Sequence, residues 1–120
     1  MEQFALMIYQ GTTPLPGTEE WETLSKEEQT QVYADYGALN QTPGVTTGPP
    51  LGLASDARTV VVKDGTVDVR EGAHLGADGA VGGYLVFEAE DIDAAIALAA
   101  RIPAARLGGA IEIRPMAKYW

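Results

Sequence analysis

The chain has 120 residues, 46% hydrophobic and 21% charged, which supports a single domain whose core needs no staples. Its 17 acids against 8 bases leave a net charge of −9, the wrong sign for neutralising nucleic-acid phosphates or settling on an anionic membrane. There is no cysteine and one histidine, which excludes disulfides, a cysteine nucleophile and any transition-metal ligand set, and no run of about 18 apolar residues is present to span a bilayer.

Phe4–Tyr9 is a continuous apolar run and predicts a buried strand, central in its sheet. Residues 10–20, broken by Pro14, Pro16 and Gly17, predict a loop. Ser25-Lys-Glu-Glu28 matches a capping box, with the Glu28 side chain reaching back, and a helix follows to about Asn40. Its apolar stripe is thin: Val32, Tyr33, Tyr36 and Leu39. Val45–Gly48 is a short strand, and Gly48-Pro49-Pro50-Leu51-Gly52 is irregular because consecutive prolines cannot join a ladder. Thr59–Lys63 and Thr66–Arg70 flank Asp64-Gly65, a two-residue turn suited to type I′ hairpin geometry. Glu71–Val81 is a Gly/Ala-rich loop that holds His74.

The stretch Gly82–Arg114 reads as strand, helix, strand. Tyr84–Phe87 is the β-rich run, and Asp91 caps a helix whose apolar stripe is Ile92, Ala95, Ile96, Ala99 and Ile102. Arg101 suits the last turn and Pro103 stops it. Ala110–Arg114 alternates, with Ile111 and Ile113 on one face and Glu112 and Arg114 on the other. The order is βαβ–βαβ with an added hairpin, an α+β plan with helices on one face of the sheet. Such a sheet leaves its other face open, and an open apolar face is covered by a partner. A homodimer with sheets face to face is the expectation.

These pieces resemble the YCII-related family, in the subgroup named for an Asp-Gly-Pro-Phe motif. The resemblance is carried by Phe4–Tyr9, Leu24–Glu28 with Tyr36-Gly37, Gly48–Leu51, the Val60–Val69 hairpin, Gly82-Gly83-Tyr84, Ile92–Arg106 and Ile111–Pro115. It implies a ferredoxin-like sandwich of the dimeric α/β-barrel group, with an antiparallel sheet and two helices on one face. Where the family has its motif, this chain has Glu71-Gly72-Ala73-His74, and Leu107 stands where many relatives carry histidine. Some relatives in the wider family look like lyases or isomerases of cyclic phenol-derived compounds that use a His–Asp pair.

Among the chemistry-bearing residues, His74 is the one side chain that titrates near neutrality in its ordinary state, so it is the candidate base. Glu71 occupies the motif's Asp position and is the candidate acid or orienter. Arg70, Arg106 and Arg114 are candidates for an anion site, and Tyr9, Tyr33, Tyr36 and Tyr84 for lining an apolar pocket. The plainer alternatives are a solvated loop histidine, a strand-end acid, surface ion pairs and core tyrosines. The expected function is a homodimeric, cofactor-free small-molecule-binding protein, with proton transfer on a cyclic compound if catalytic, and a pocket between the sheet and the 71–81 loop. The rivals are a non-catalytic binder on an altered site, and a regulatory domain that docks a partner through Lys118-Tyr119-Trp120. The N-terminus lacks the basic-then-apolar pattern of a signal peptide, so a cytoplasmic location is expected.

Overall fold

The computed structural model describes residues 1–119. Four strands form one antiparallel sheet: β1 (Glu2–Tyr9), β2 (Val45–Thr47), β5 (Val81–Ala89) and β6 (Ala110–Pro115), in the order β2-β5-β1-β6. β3 (Arg58–Lys63) and β4 (Thr66–Glu71) make a separate two-stranded hairpin. Its turn takes positive φ at both Asp64 (51°) and Gly65 (79°), as the type I′ geometry requires.

The apolar run at the start of the chain sits centrally, with β5 on one side and β6 on the other. Alternation sorts the strands by face. Phe4, Leu6, Leu85 and Ala89 are buried and meet Leu39, Ala95, Leu98, Ala99, Ile102 and Ala104, with Ile111 and Ile113 packed alongside. The opposite face presents Gln3, Ala5, Met7 and Tyr9 of β1, Tyr84, Val86 and Glu88 of β5, and Glu112 and Arg114 of β6. The molecule is a slab measuring 47 × 44 × 19 Å.

Three helices pack on the inner face or at its end: α1 (Glu19–Glu22), α2 (Lys26–Gln41) and α3 (Ile92–Ala99). The one-turn α1 begins in the last two residues of the predicted 10–20 loop and is not expected from the sequence. Thr18 caps it, its hydroxyl accepting from the Trp21 amide at 3.3 Å, and Trp21 is buried edge-on against Tyr33 with ring centroids 5.5 Å apart. Burying one indole is what holds so short a helix. Ser25 caps α2 by accepting from the Glu28 amide at 3.1 Å. The Glu28 carboxylate does not reach back; it accepts from Arg106 at 3.0 Å, a charge-assisted bond stronger than the backbone contact it replaces.

Asp91 caps α3, accepting from the Ala94 amide at 2.9 Å. The helix ends at Ala99, so Arg101 lies in the following turn. The apolar stripe also differs from the expected one. Ala95, Leu98, Ala99 and Ile102 are buried, whereas Ile92 and Ile96 are 43% and 51% exposed. With apolar residues on nearly every side of this helix, spacing alone does not single out the stripe that faces the sheet. Gly109 follows the turn at Pro103–Ala105, and a side chain there would run into the Tyr9 carbonyl, so the chain must be bare at that crossing.

Candidate functional site

β2 ends at Thr47, and the edge of β5 beyond it is followed by an irregular segment, with the Leu51 amide donating to the Gly82 carbonyl at 3.2 Å. Gly82 and Gly83 bring no side chains to this edge. Between it, α2 and the loop at residues 13–16 lies a cleft of about 400 Å³. Val32, Tyr33, Tyr36, Leu39 and Asn40 line it from the helix, Ile8, Tyr84 and Leu85 from the sheet, and Leu15, Pro50 and Leu51 from the loops. Gln10, Thr13, Asn40 and Thr47 are its polar lining residues, together with the tyrosines.

No charged side chain is among the lining residues described. A charged ligand would give up its hydration here with no counter-charge in return, so the cleft suits neutral compounds. About 150 Å³ holds a benzene, so this volume fits a compound of roughly two rings. The Oγ1 of Thr13 is buried beside the Gly109 backbone without a hydrogen-bond partner among the described residues, a cost carried within the wall of the cleft. Burial pushes the Tyr36 phenol above its ordinary pKa, with the nearby Arg106 charge pulling the other way. Tyr36 therefore stays a hydrogen-bond donor at neutral and mildly alkaline pH.

Arg106 guards one end. It donates to Asp35 at 3.0 Å and to Glu28 at 3.0 Å, both on α2, and so ties the Pro103–Ala105 turn to the helix beside Ala104, which lines the cleft. Burial pulls the Arg106 pKa down, but hydrogen bonds and charge from Glu28 and Asp35 outweigh it and raise the value overall. The guanidinium is thus engaged within the protein.

The other expected site residues are dispersed. Tyr36 lines the cleft, joined by Tyr33; Tyr84 reaches its rim from the opposite face of the sheet, its hydroxyl beside Gly48, and Tyr9 and Arg114 belong to that opposite face as well. Arg70, Glu71 and His74 lie at the base of the hairpin. The Arg70 Nη2 donates to His74 Nδ1 at 3.0 Å, which leaves the ring proton on Nε2 because a guanidinium only donates. Glu71 makes its ionic contact with Arg58, at 3.9 Å, and its side chain is 87% exposed. His74 borders a wide, open concavity formed by Ala57–Val61 and Ala73, and no residue of 71–81 lines the cleft beside α2. This cleft lies on the helix side of the sheet's end, whereas the concavity of about 500 Å³ at Ala73 and His74 lies beside the glycine-rich loop. Gln10, Thr13, Leu15, Asn40 and Leu51 escaped the sequence reading. The available signal was two proline-punctuated loops, 13–17 and 48–52, each next to the end of a strand.

Among the described residues no group of three or more His, Asp and Glu is placed to hold a metal ion. No helix among them is long and apolar enough to cross a membrane.

The sheet order, with both crossovers running over one face, defines an α+β protein consistent with a ferredoxin-like fold, with a cleft between its first long helix and the sheet. The chain belongs to the YCII-related domain family, whose model matches residues 17–119. No curated protein matches it.

Proposed function

We propose that the protein binds a small, neutral, ring-bearing compound in the cleft between α2 and the sheet, as a homodimer joined through the open sheet faces. One observation carries the binding reading: about 400 Å³ of uncharged, largely apolar space whose lining includes three tyrosines, Gln10 and Asn40. This is the composition of small-molecule sites, apolar walls with a few placed polar groups. Resemblance to the few relatives in the wider YCII-related family that look like enzymes of cyclic phenol-derived compounds supports the same class of ligand. Gly72, kept from that motif, has a φ of 95°, a conformation that favours glycine.

The test is calorimetric titration with 2-naphthol and 1-tetralone as neutral two-ring probes. A Cβ added at Gly83 meets nothing closer than Ile8 Cδ1 at 3.9 Å, so Gly83→Leu starts from free space and extends into the cleft that Gly83 lines. Saturable binding of a probe to the wild type, weakened at least about tenfold by Gly83→Leu and unchanged by His74→Ala, supports the assignment. Binding that survives Gly83→Leu and fails in His74→Ala contradicts it.

A second reading, proton transfer by His74 with Glu71, is favoured by the Arg70–His74 hydrogen bond, which fixes one ring tautomer with Nε2–H as a proton donor; a base role needs Nδ1 released from Arg70. If it holds, His74→Ala lowers turnover of a cyclic substrate by about 10²-fold or more, as loss of a general base does, while leaving probe affinity in the α2 cleft unchanged.

A further inference from the structure

The β3–β4 hairpin is the least supported part of the fold. Its register sets Val60 opposite Val69 and Val62 opposite Val67, so the four valines share one face. They are between 58% and 63% exposed. The other face carries Thr59 with Arg70 and Val61 with Asp68, and at its base Ala73 and His74 fold alongside through the Arg70 hydrogen bond. Every extensive contact of β3 and β4 is with the other strand of the pair. A lone two-stranded hairpin is marginal in water, so an apolar face held bare on one needs a cover.

The molecule is also open for its mass. Its radius of gyration is 16.1 Å, where a compact domain of this length has about 13.6 Å. Its surface is 8187 Å², where a folded monomer of 12.7 kDa exposes roughly 6,200 Å². The surplus of about 2,000 Å² is on the scale that each subunit buries in a large obligate dimer.

Two further features favour a second copy of this chain as the cover. Residues 58–71 hold three bases (Arg58, Lys63, Arg70) and three acids (Asp64, Asp68, Glu71), so the hairpin is neutral while the rest of the chain carries the whole −9. A neutral apolar arm can approach an acidic body that would repel an acidic surface. The chain also has a second apolar area, the half-buried Ala5, Met7 and Val86 on the open sheet face. A two-fold axis makes every contact twice, so one identical partner covers both areas at once.

We propose that the β3–β4 hairpin is a dimerisation arm, whose Val60, Val62, Val67 and Val69 face is buried on a second copy of this chain. This rests on the dimer of the preceding section and adds to it a surface that sheet pairing alone does not use.

Sedimentation equilibrium of the full chain tests it. Val62→Lys with Val67→Glu puts a charge pair directly across the hairpin, which keeps the strands paired while removing the apolar face. The wild type is expected to be dimeric at micromolar concentration, with the double variant's dissociation constant raised at least about a hundredfold, the effect of charge forced into an apolar contact. Val61→Lys, on the other face, is expected to leave it unchanged. A dimeric wild type with an unaltered double variant overturns the arm and leaves the sheet-mediated dimer standing; a wild type monomeric at high micromolar concentration overturns both. Should the double variant misfold, Val67→Cys serves instead, since the chain has no other cysteine. Its alkylation is expected to be slow in concentrated protein and fast on dilution, and alkylation that is fast at all concentrations overturns the arm.

Discussion

Arg106 is the residue on which the cleft's shape turns. It reaches Glu28 and Asp35 across 78 and 71 positions of sequence and fixes the end of α2 against the turn that follows α3. The pairs are partly solvent-exposed, with 38% of the Arg106 side chain accessible, so their contribution is modest. Arg106→Met should cost about 1 kcal/mol in urea unfolding, and Glu28→Gln combined with Asp35→Asn should cost little further in the Met background, as expected of a shared network. Tyr36 makes a pH prediction. Its folded pKa lies above the unfolded value of 10.0, so below pH 10 both states keep the proton and stability is unaffected. As pH rises above 10 the unfolded chain releases that proton first, and stability falls. Tyr36→Phe should remove part of this alkaline loss, seen as a flatter dependence of the urea midpoint on pH between about 9 and 11.

At the scale of elements, α3 offers the sharpest contrast. Leu98 is 3% exposed and belongs to the core, whereas Ile96 is 51% exposed. Leu98→Ala should destabilise by about 2–5 kcal/mol and Ile96→Ala by well under 1.5 kcal/mol, measured by thermal or urea unfolding. A larger cost at Ile96 than at Leu98 would restore the stripe expected from spacing. Much of the fold was legible because local chemistry announces it. Asp64-Gly65 dictates its turn, Asp91 and Ser25 their helix starts, and the alternation of Ile111 and Ile113 its strand face. What escaped depends on distant partners. The α1 turn exists because Trp21 finds Tyr33, and Glu28 abandons its capping box for an arginine far along the chain. Both are tertiary contacts that no local pattern encodes.

At the scale of the whole molecule, a thin two-layer slab places its concave site where the layers separate at one end, and loops complete the walls. Tyr36 and Tyr84 could be nominated from sequence as pocket residues, and they do line the cleft. His74, Glu71 and Arg70 stand out in sequence by their chemistry, yet the fold sets them at the base of the projecting hairpin. The cleft itself was illegible because its walls come from six separated segments and its key property, the lack of charge, appears only when these are brought together. The assignment of function to this cleft is tested most directly by backbone amide chemical-shift mapping of the full chain titrated with 2-naphthol. The expected result is a saturable set of shifts at residues 13–16, 32–40, 47–51 and 82–85, with residues 70–76 unmoved. Shifts confined to residues 57–61 and 70–76 would place the ligand at His74 and contradict the account.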